Sequence, residues 1–235
     1  MRVVITRPQG DGERTATALR ARGHEVLVAP LMRVQAIAAN LAGEWGAVIV
    51  TSANAPNAIA HNPARDALIK LPLFAVGQRS AEAARQAGFI NVTSAGGDVR
   101  DLVNMLMGEH ANTKAPLLYL AGEDRAADLI GELSTRGIAA EMRVVYRAVA
   151  APFPPALIEA LRAGEVDIVV HFSRRSAENY MAGAKKAGIA GLALAVRHLC
   201  LSAQVAEPLA GASRIAIAAR PDEAALVELL QVQQR

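Results

Sequence analysis

One tyrosine stands in an unusual sequence context. Tyr146 lies between Arg143 and Arg147 in the run MRVVYRAV (142–149), and the chain contains only three tyrosines and one tryptophan. An aromatic side chain in a β-branched strand usually contributes packing. A phenol is also a potential proton donor, and neighbouring guanidinium groups would suit an anionic ligand. The residues alone leave both interpretations open.

A second signal is a recurring junction, in which a strand ends in Ser, Thr or Gly and a helix begins at once. The junctions are TRPQGDGE (6–13), TSANA (51–55), VGQRSA (76–81), AGEDR (121–125), FSRRSA (172–177) and LSAQVA (201–206). In an open parallel sheet they would lie at the carboxyl ends of the strands, where helix N-termini offer free N–H groups to anions. Each could be only a helix cap, but together they predict a site for a ligand with several carboxylates or phosphates.

Common catalytic and metal-binding signatures are missing. The sequence contains no GxGxxG after a strand, no GxxxxGK[ST], no HExxH and no GxSxG. Neither metal-ligand spacing nor a triad partner is found for any of the five histidines, His24, His61, His110, His171 and His198. The single Cys200 excludes a disulfide framework and fits a reducing compartment. We therefore expect no cofactor, no metal and a cytoplasmic location.

The composition is that of a globular protein. Hydrophobic residues make up 52% of the 235 residues and charged residues 20%. The formal net charge is only +3, and arginine supplies most of the positive charge. Aromatic residues amount to 3%, which leaves few rings for bases to stack on and argues against nucleic acid. The longest apolar run, GIAGLALAV (188–196), is too short to span a bilayer, so we expect no membrane partner and instead an anionic small molecule.

The elements that must position these residues follow an alternating pattern. Apolar, β-branched runs alternate with alanine-rich helical stretches, several of which end in glycine. Strands are predicted over 3–6, 25–31, 47–52, 73–77, 91–94, 117–122, 142–149, 167–173, 198–202 and 214–219. Continuous apolar strands alternating with helices predict an α/β fold with doubly wound parallel sheets.

The chain also resembles itself. AVIVTSANAPNAIA (47–60) is similar to DIVVHFSRRSAENYMA (167–182), and LLYLAG…LSTRG (117–137) is similar to VVITRP…LRARG (3–23). The same flavodoxin-like block thus occurs twice, and its second copy is closed by the N-terminal unit. This internal duplication predicts two doubly wound parallel-sheet domains.

The repeat implies a discontinuous first domain, made of residues 1–34 and 150–235, and an inserted second domain over 37–143. The chain would then cross between them twice, along 25–37 and 140–151. Two adjacent crossings in opposite directions predict a two-stranded β ribbon that joins the domains. Tyr146 would lie on this ribbon and not in the middle of a sheet, beside a cleft of the kind that often binds ligands.

In their order, these motifs resemble the uroporphyrinogen-III synthase family. The resemblance covers essentially the whole chain and rests on the segments VVITRP, VIVTSANA, FAVGQRSAEAARQAG, DIVVHFSRRS and IAARPDEAALVELL. It implies two α/β domains joined by a ribbon, without cofactor or metal. It also implies an activity, the closure of linear hydroxymethylbilane with inversion of ring D to uroporphyrinogen III. Water would be lost through azafulvenium and spiro-pyrrolenine intermediates, which is mainly a task of proximity and orientation.

The resemblance implies roles for single residues. Tyr146 matches a linker tyrosine that is the leading candidate for proton donor to the departing hydroxyl. Ser52 and Ser173 match strand-end serines, and Ser80 stands where the family has a threonine. Together with the junctions, this gives as substrate-binding residues Thr6, Arg7, Ser52, Ala53, Gly77, Ser80, Gly122, Arg147, Ser173 and Ser202.

The sequence departs from the family at SAQVA (202–206), where Gln204 and Val205 replace threonines. Ser202 or backbone N–H groups would have to hold the substrate there.

Because a fold does not fix a function, a two-domain cytosolic binding protein for a multiply anionic small molecule stays open as an alternative. A glycosyl- or nucleotidyl-transferase that binds phosphates at the strand-end loops is a weaker alternative. As partners we expect hydroxymethylbilane and transient contact with the upstream deaminase, with the chain a monomer.

Overall fold

The computed structural model describes residues 1–110, 115–125 and 128–231, in which short strands alternate with helices. The strands are β1 (Arg2–Ile5), β2 (Glu25–Val28), β3 (Met32–Ala36), β4 (Ala47–Val50), β5 (Pro72–Ala75), β6 (Asn91–Ser94), β7 (Leu117–Gly122), β8 (Ala140–Ala150), β9 (Ile168–His171), β10 (Arg197–Cys200) and β11 (Ile215–Ile217). The helices are α1 (Gln9–Arg20), α2 (Asn54–Ala58), α3 (Arg65–Leu68), α4 (Gln78–Gln86), α5 (Val99–His110), α6 (Leu129–Thr135), α7 (Pro155–Arg162), α8 (Arg174–Lys186), α9 (Ala190–Ala195), α10 (Ala203–Ala206) and α11 (Glu223–Gln231).

The chain forms two compact units, the first from Met1–Arg33 with Val149–Arg235 and the second from Val34–Ala148. A five-stranded sheet in the order β2-β1-β9-β10-β11 belongs to the first unit, and all its neighbouring strands are parallel. A six-stranded sheet in the order β3-β8-β7-β4-β5-β6 lies mainly in the second, apart from the first residues of β3 and the last of β8, and is parallel from β8 to β6. These two parallel sheets confirm the predicted α/β class.

Both faces of each sheet are buried. In β4, Val48 and Val50 pack into one apolar cluster, whereas Ala47 and Ile49 pack into another. All four side chains are inaccessible to solvent. The residues of β9 divide between two clusters in the same alternating way. Because successive side chains of a strand point to opposite faces, a sheet covered on both sides requires the continuous apolar runs seen in the sequence.

The two sheets share one strand order after a permutation of the chain. Counting β1, β2, β9, β10 and β11 as strands one to five, the first sheet runs two, one, three, four, five. Counting β7, β8, β4, β5 and β6 in the same way, the second sheet runs in that order too, with β3 added at its edge. This is the flavodoxin-like doubly wound order. The duplication and its permuted closure are therefore present in the topology.

The two predicted crossing segments, 25–37 and 140–151, are hydrogen-bonded to each other, and each also contributes a strand to a sheet. Ala151 N donates to Leu31 O at 3.0 Å and Ile37 N donates to Val145 O at 2.8 Å, so the segments run antiparallel. The segment 140–151 was predicted as a linker strand that keeps Tyr146 out of the middle of a sheet, and in the structure it also pairs, as β8, with β7 as far as Tyr146. Its 11 residues are long enough both to extend the sheet and to continue beyond it. Within the other predicted crossing, β2 is likewise a sheet strand, paired with β1.

The segment ADLIGELSTRG (127–137) predicts a helix, and the structure has α6 there, spanning Leu129–Thr135. The predicted first residue, Ala127, lies outside the described residues. The side chain of Asp128 accepts a hydrogen bond from Gly131 N at 3.0 Å and so caps the helix. This cap marks the start of α6 after the loop that follows β7.

Candidate active site

A cavity of about 290 Å³ opens within the second unit at the carboxyl ends of its strands. It is lined by Thr51, Ser52, Val76, Val99, Tyr119, Gly122, Asp124, Arg125, Leu129 and Tyr146. Thr51 and Ser52 follow β4, Val76 follows β5, and Gly122 ends β7. This is the edge at which open parallel sheets bind ligands. Three of the predicted site residues, Ser52, Gly122 and Tyr146, are thus brought together.

Tyr146 lies against Gly122. The register between β7 and β8 shifts at this point, so that Ala121 is opposite Val144 and Gly122 is opposite Tyr146. An ideal Cβ on Gly122 would stand 2.6 Å from Cζ of Tyr146 and 2.7 Å from its hydroxyl oxygen. Only a residue without a side chain leaves room for the phenol there. Tyr146 is partly buried and reaches the cavity because residue 122 is glycine.

A second tyrosine, which the sequence analysis did not select, also lines the cavity. Tyr119 is only 4% exposed, and its hydroxyl lies 2.9 Å from Oγ1 of Thr51. Burial, more than any other influence, raises the pKa of Tyr119, and a charge on Tyr146 would raise it further. The strand LLYLAG offered one signal, since Tyr119 carries the only polar side chain in an otherwise apolar run and pairs with Ile49, two residues before Thr51.

Arg125 brings a positive charge to the cavity. Its Nη1 donates to the carbonyl oxygens of Gly122 at 2.9 Å and of Glu123 at 3.1 Å, which ties the guanidinium to the loop after β7. A second cavity of about 650 Å³ shares Tyr119, Arg125 and Leu129 with the first. The junction AGEDR was predicted as an anion-binding loop, but Arg125 itself was not selected.

The remaining predicted residues after β4 and β5 serve the starts of helices. Ser52 Oγ accepts a hydrogen bond from Asn54 N at 3.2 Å, and Ala53 is the N-cap residue of α2. Gly77 is the N-cap of α4 in an extended conformation, and Ser80 is buried in the first turn of that helix. Of these four residues, only Ser52 lines the cavity.

The two arginines that flank Tyr146 have protein partners. Arg147 is exposed, and its Nε donates to Oε1 of Gln35 at 3.3 Å. Arg143 contacts Glu141 through Nη2 at 2.7 Å, and its guanidinium carbon lies 5.7 Å from the centre of the Trp45 ring. Neither residue lines the cavity.

In the first unit, Thr6 and Arg7 follow β1 but are used in packing. Thr6 is fully buried and donates to the carbonyl oxygen of Val170 at 2.9 Å. Arg7 donates through Nη1 to Glu223 Oε2 at 2.8 Å, and its guanidinium carbon lies 4.3 Å from the centre of the Phe172 ring. Burial acts to raise the pKa of Glu223, but hydrogen bonds from Thr15 and Arg7, together with nearby arginine charge, outweigh it and lower the pKa. These contacts connect β1, β9 and α11.

The two predicted serines of the first unit both precede helices. Ser173 caps α8, with Oγ accepting from Ser176 N at 3.1 Å. Ser202 is the N-cap residue of α10, without a side-chain cap bond. In the segment that departs from the family pattern, Val205 is buried in the core and Gln204 is exposed. Val205 therefore contributes apolar packing.

Two histidines form a buried pair in the first unit. His171 Nε2 and His198 Nδ1 are 3.1 Å apart, and both side chains are inaccessible to solvent. The ring of Tyr180 lies edge-on to both. Burial lowers the pKa of His198 to about 4 and that of His171 well below 6.5, so the pair is neutral at neutral pH.

Neither a metal centre nor a membrane span is found in the part of the chain that the structure describes. Within those ranges, no group of three or more His, Cys, Asp or Glu residues is placed to hold a metal ion. No helix among the described residues combines the length and apolar character needed to cross a membrane.

Comparison with known proteins identifies relatives of the whole chain. The family model described as uroporphyrinogen-III synthase HemD matches residues 13–228. The solved structure of uroporphyrinogen-III synthetase from Helicobacter pylori 26695 is similar with a TM-score of 0.62 at 18% identity, covering 98% of this chain and 99% of that one. A Thermus thermophilus uroporphyrinogen III synthase structure gives a TM-score of 0.43 at 17% identity, with 98% of each chain covered. The curated proteins contain no match to the sequence.

Proposed function

This chain belongs to the uroporphyrinogen-III synthase family, and from that premise we propose how its residues close the tetrapyrrole. A uroporphyrinogen-III synthase converts linear hydroxymethylbilane into uroporphyrinogen III with inversion of ring D. We infer that the cavity at Tyr146 receives the end of the substrate that carries the hydroxymethyl group. The observation that carries this proposal is the placement of the Tyr146 phenol across Gly122, at the carboxyl ends of the strands.

The size of the cavity supports binding of one end of the substrate. Pockets that enclose a drug-sized ligand measure about 300–1,000 Å³. A cavity of about 290 Å³ is at the lower limit of that range and suits one pyrrole with part of its side chains. The adjoining cavity of about 650 Å³ extends the available space along the loop after β7. Arg125 borders both and is placed to attract a substrate carboxylate.

Tyr146 is the proposed proton donor. As the C–O bond of the hydroxymethyl group breaks, the electron pair of the pyrrole nitrogen forms the azafulvenium cation and the departing oxygen takes a proton from the phenol. The products of this step are water, the cation and a phenolate. The substituted carbon of ring D attacks the cation with its electron pair to form the spiro-pyrrolenine, which fragments and recloses with the ring inverted. The proton finally lost from ring carbon restores the phenol, so the enzyme is a hydro-lyase that cyclises its substrate.

The remaining predicted residues act mainly through the backbone. We propose that Ser52, Ala53, Gly77 and Ser80 surround substrate carboxylates with N–H groups at the starts of α2 and α4. The same role is proposed in the first unit for the junctions at Thr6, Arg7, Ser173 and Ser202, because the side chains of Thr6 and Arg7 are engaged in protein contacts. Arg147 is exposed and is proposed to contact carboxylates at the rim.

We further propose that the enzyme works as a cytoplasmic monomer and takes its substrate by transient contact with the upstream deaminase. The single buried Cys200 fits a reducing compartment. Hydroxymethylbilane also closes spontaneously without inversion, so rapid transfer from the enzyme that makes it would preserve the yield of isomer III. Sedimentation of the purified chain, alone and mixed with deaminase, tests the monomeric state and the contact with the deaminase.

The decisive experiment supplies freshly made hydroxymethylbilane and separates the oxidised uroporphyrin isomers by chromatography. Wild-type protein should give isomer III in an amount that rises with enzyme concentration. Isomer I alone at every concentration would exclude synthase activity and leave the non-catalytic binding protein as the alternative.

The Tyr146→Phe variant tests the assigned donor. General acid catalysis contributes about 10²–10⁴-fold, so kcat should fall by a factor in that range while KM changes little. Tyr180→Phe is the matched control, because Tyr180 is also a tyrosine but its hydroxyl donates to Ala193 O in the first unit. Undiminished kcat in the Tyr146→Phe variant would remove the residue from the chemistry.

A further inference from the structure

The hydroxyl pair formed by Tyr119 and Thr51 lines the cavity with Tyr146 but has no part in the mechanism above. Tyr119 is the more deeply buried of the two tyrosines in the cavity, and its hydroxyl is 2.9 Å from that of Thr51. A buried phenol that serves packing alone could as well be phenylalanine. Its hydroxyl instead points to a second hydroxyl at the edge of the sheet where the ligand is expected.

The Thr51–Tyr119 pair has one O–H that the hydrogen bond between its two hydroxyls does not use. Each hydroxyl carries one O–H and can accept through its oxygen, so a bond between two hydroxyls uses one of their two protons. If Thr51 donates to Tyr119, the phenol proton is left; if Tyr119 donates to Thr51, the threonine proton is left. Either way, the pair can offer one O–H to a group in the cavity, and both residues line it.

The other buried tyrosine shows the contrast. The single hydroxyl proton of Tyr180 is used by the carbonyl oxygen of Ala193 at 3.1 Å. Nothing is left to donate to a ligand. Tyr119 differs because its partner is itself a donor, and because it borders two adjoining cavities.

The electrostatics favour a pair that stays protonated throughout the step. Burial raises the pKa of Tyr119, so its phenol is neutral at neutral pH and able to donate. The hydrogen bond with Thr51 and the charge of Arg125 oppose this rise, and a negative charge on Tyr146 adds to it. When Tyr146 has given up its proton, Tyr119 is therefore held in the protonated form.

We propose that the Thr51–Tyr119 pair is a second hydroxyl donor that binds the same departing oxygen as Tyr146. The proposal rests on the synthase function. In the ionisation step the C–O bond breaks, Tyr146 transfers its proton to the oxygen, and the pair donates a hydrogen bond to that oxygen without losing its own proton. The water formed stays bound to the pair, away from the cation. Tyr119 is on this account a catalytic residue.

The test measures kcat and KM for isomer III formation in four variants, Tyr119→Phe, Thr51→Val, Tyr180→Phe and Tyr119→Phe combined with Tyr146→Phe. Loss of one donor to a developing charge costs about 10–10³-fold, so Tyr119→Phe should lower kcat at least 10-fold with little change in KM. Thr51→Val should lower kcat less, because the phenol remains. Tyr180→Phe controls for the loss of a buried tyrosine hydroxyl and should keep wild-type kcat.

The combined variant decides whether the two phenols serve one oxygen. Groups that act on the same atom are non-additive, so the double variant should lose clearly less than the product of the two single losses. A loss equal to that product would place Tyr119 on another part of the substrate and overturn the proposal. So would unchanged kcat in Tyr119→Phe. Should that variant fail to fold, Thr51→Val replaces it, and wild-type kcat there would overturn the proposal too.

Failure of the inference and failure of the proposed function are distinguishable. If wild-type protein makes isomer III but the variants behave otherwise than stated, only the second donor is refuted. If wild-type protein makes isomer I alone, both are refuted.

Discussion

Replacing Gly122 by alanine should move the Tyr146 ring without disturbing the backbone. Gly122 does not have a positive φ, so an L residue can adopt its conformation. The added Cβ would stand 2.6 Å from Cζ, 2.7 Å from the hydroxyl oxygen and 2.9 Å from Cε2 of Tyr146. Because carbon atoms pack at about 3.5–4.0 Å, the ring must shift by about 1 Å. A displacement of that size at a reacting group costs about 10²-fold in rate, which is the expected fall in kcat.

The assay follows isomer III at early times and saturating hydroxymethylbilane, with isomer I as the internal record of spontaneous closure. Thermal unfolding of the same protein shows whether the fold survives, and overpacking should cost about 1–3 kcal/mol at most. Gly108→Ala is the control. Gly108 lies in α5 with nothing within 4 Å of an added Cβ, so alanine should keep kcat and stabilise the helix by about 0.5–1 kcal/mol.

Combining Gly122→Ala with Tyr146→Phe tests whether the alanine acts by displacing the Tyr146 hydroxyl. If Gly122→Ala acts by displacing the Tyr146 hydroxyl, it should reduce kcat little further in protein that already lacks this hydroxyl. Wild-type kcat in Gly122→Ala, with a native unfolding transition, would refute the assigned position of the phenol. A chain that no longer folds would equally refute the reasoning, because it would show that the ring cannot give way.

Two other predictions concern stability in the first unit. His171 and His198 are held neutral in the folded state, so the unfolded chain binds more protons than the folded chain as pH falls from 6.5 towards about 4. The free energy of unfolding should therefore drop by about 1 kcal/mol per pH unit for each histidine. Urea unfolding over that pH range should show this slope, and His198→Gln should flatten it whereas the exposed His61→Gln should not. Arg7→Lys should lower the free energy of unfolding by about 1 kcal/mol through loss of the Arg7 contacts with Glu223. A raised KM with unchanged stability would instead show that Arg7 binds substrate.

The fold class follows from local pattern because burial on both faces of a parallel sheet requires continuous apolar strands. Val48 and Ile49 are both fully buried, on opposite faces of β4, as the continuous apolar sequence AVIV predicts. The similarity of 47–60 to 167–182 indicates the duplication for the same reason, since equivalent strands in equivalent sheets need equivalent residues. The place of β8 was harder to predict, because a strand of 11 residues can belong to a sheet and still continue past its end.

The candidate site was only partly predictable. Tyr146 and Gly122 were selected one by one, yet their contact depends on the register shift between β7 and β8, which no local pattern encodes. Tyr119 was missed because an aromatic residue in a buried strand is usually core, and its distinguishing feature is a partner that is 68 positions away in sequence. Arg7 was selected as an anion partner, but its neighbour Glu223 comes from the other end of the chain.

The sequence by itself determined which residues form strands, which strand ends carry small hydroxyl residues, and that the α/β block occurs twice. These are properties of short segments, set by side-chain size, branching and polarity. Only the tertiary structure decided which hydroxyl groups contact each other and which donate to a backbone carbonyl oxygen. Thr6 donates its hydroxyl hydrogen bond to the carbonyl oxygen of Val170, whereas the Thr51 hydroxyl is hydrogen-bonded to that of Tyr119 at the edge of a cavity. Both threonines directly follow a strand, and the difference between them lies in the neighbour that strand pairing and packing bring within hydrogen-bonding distance.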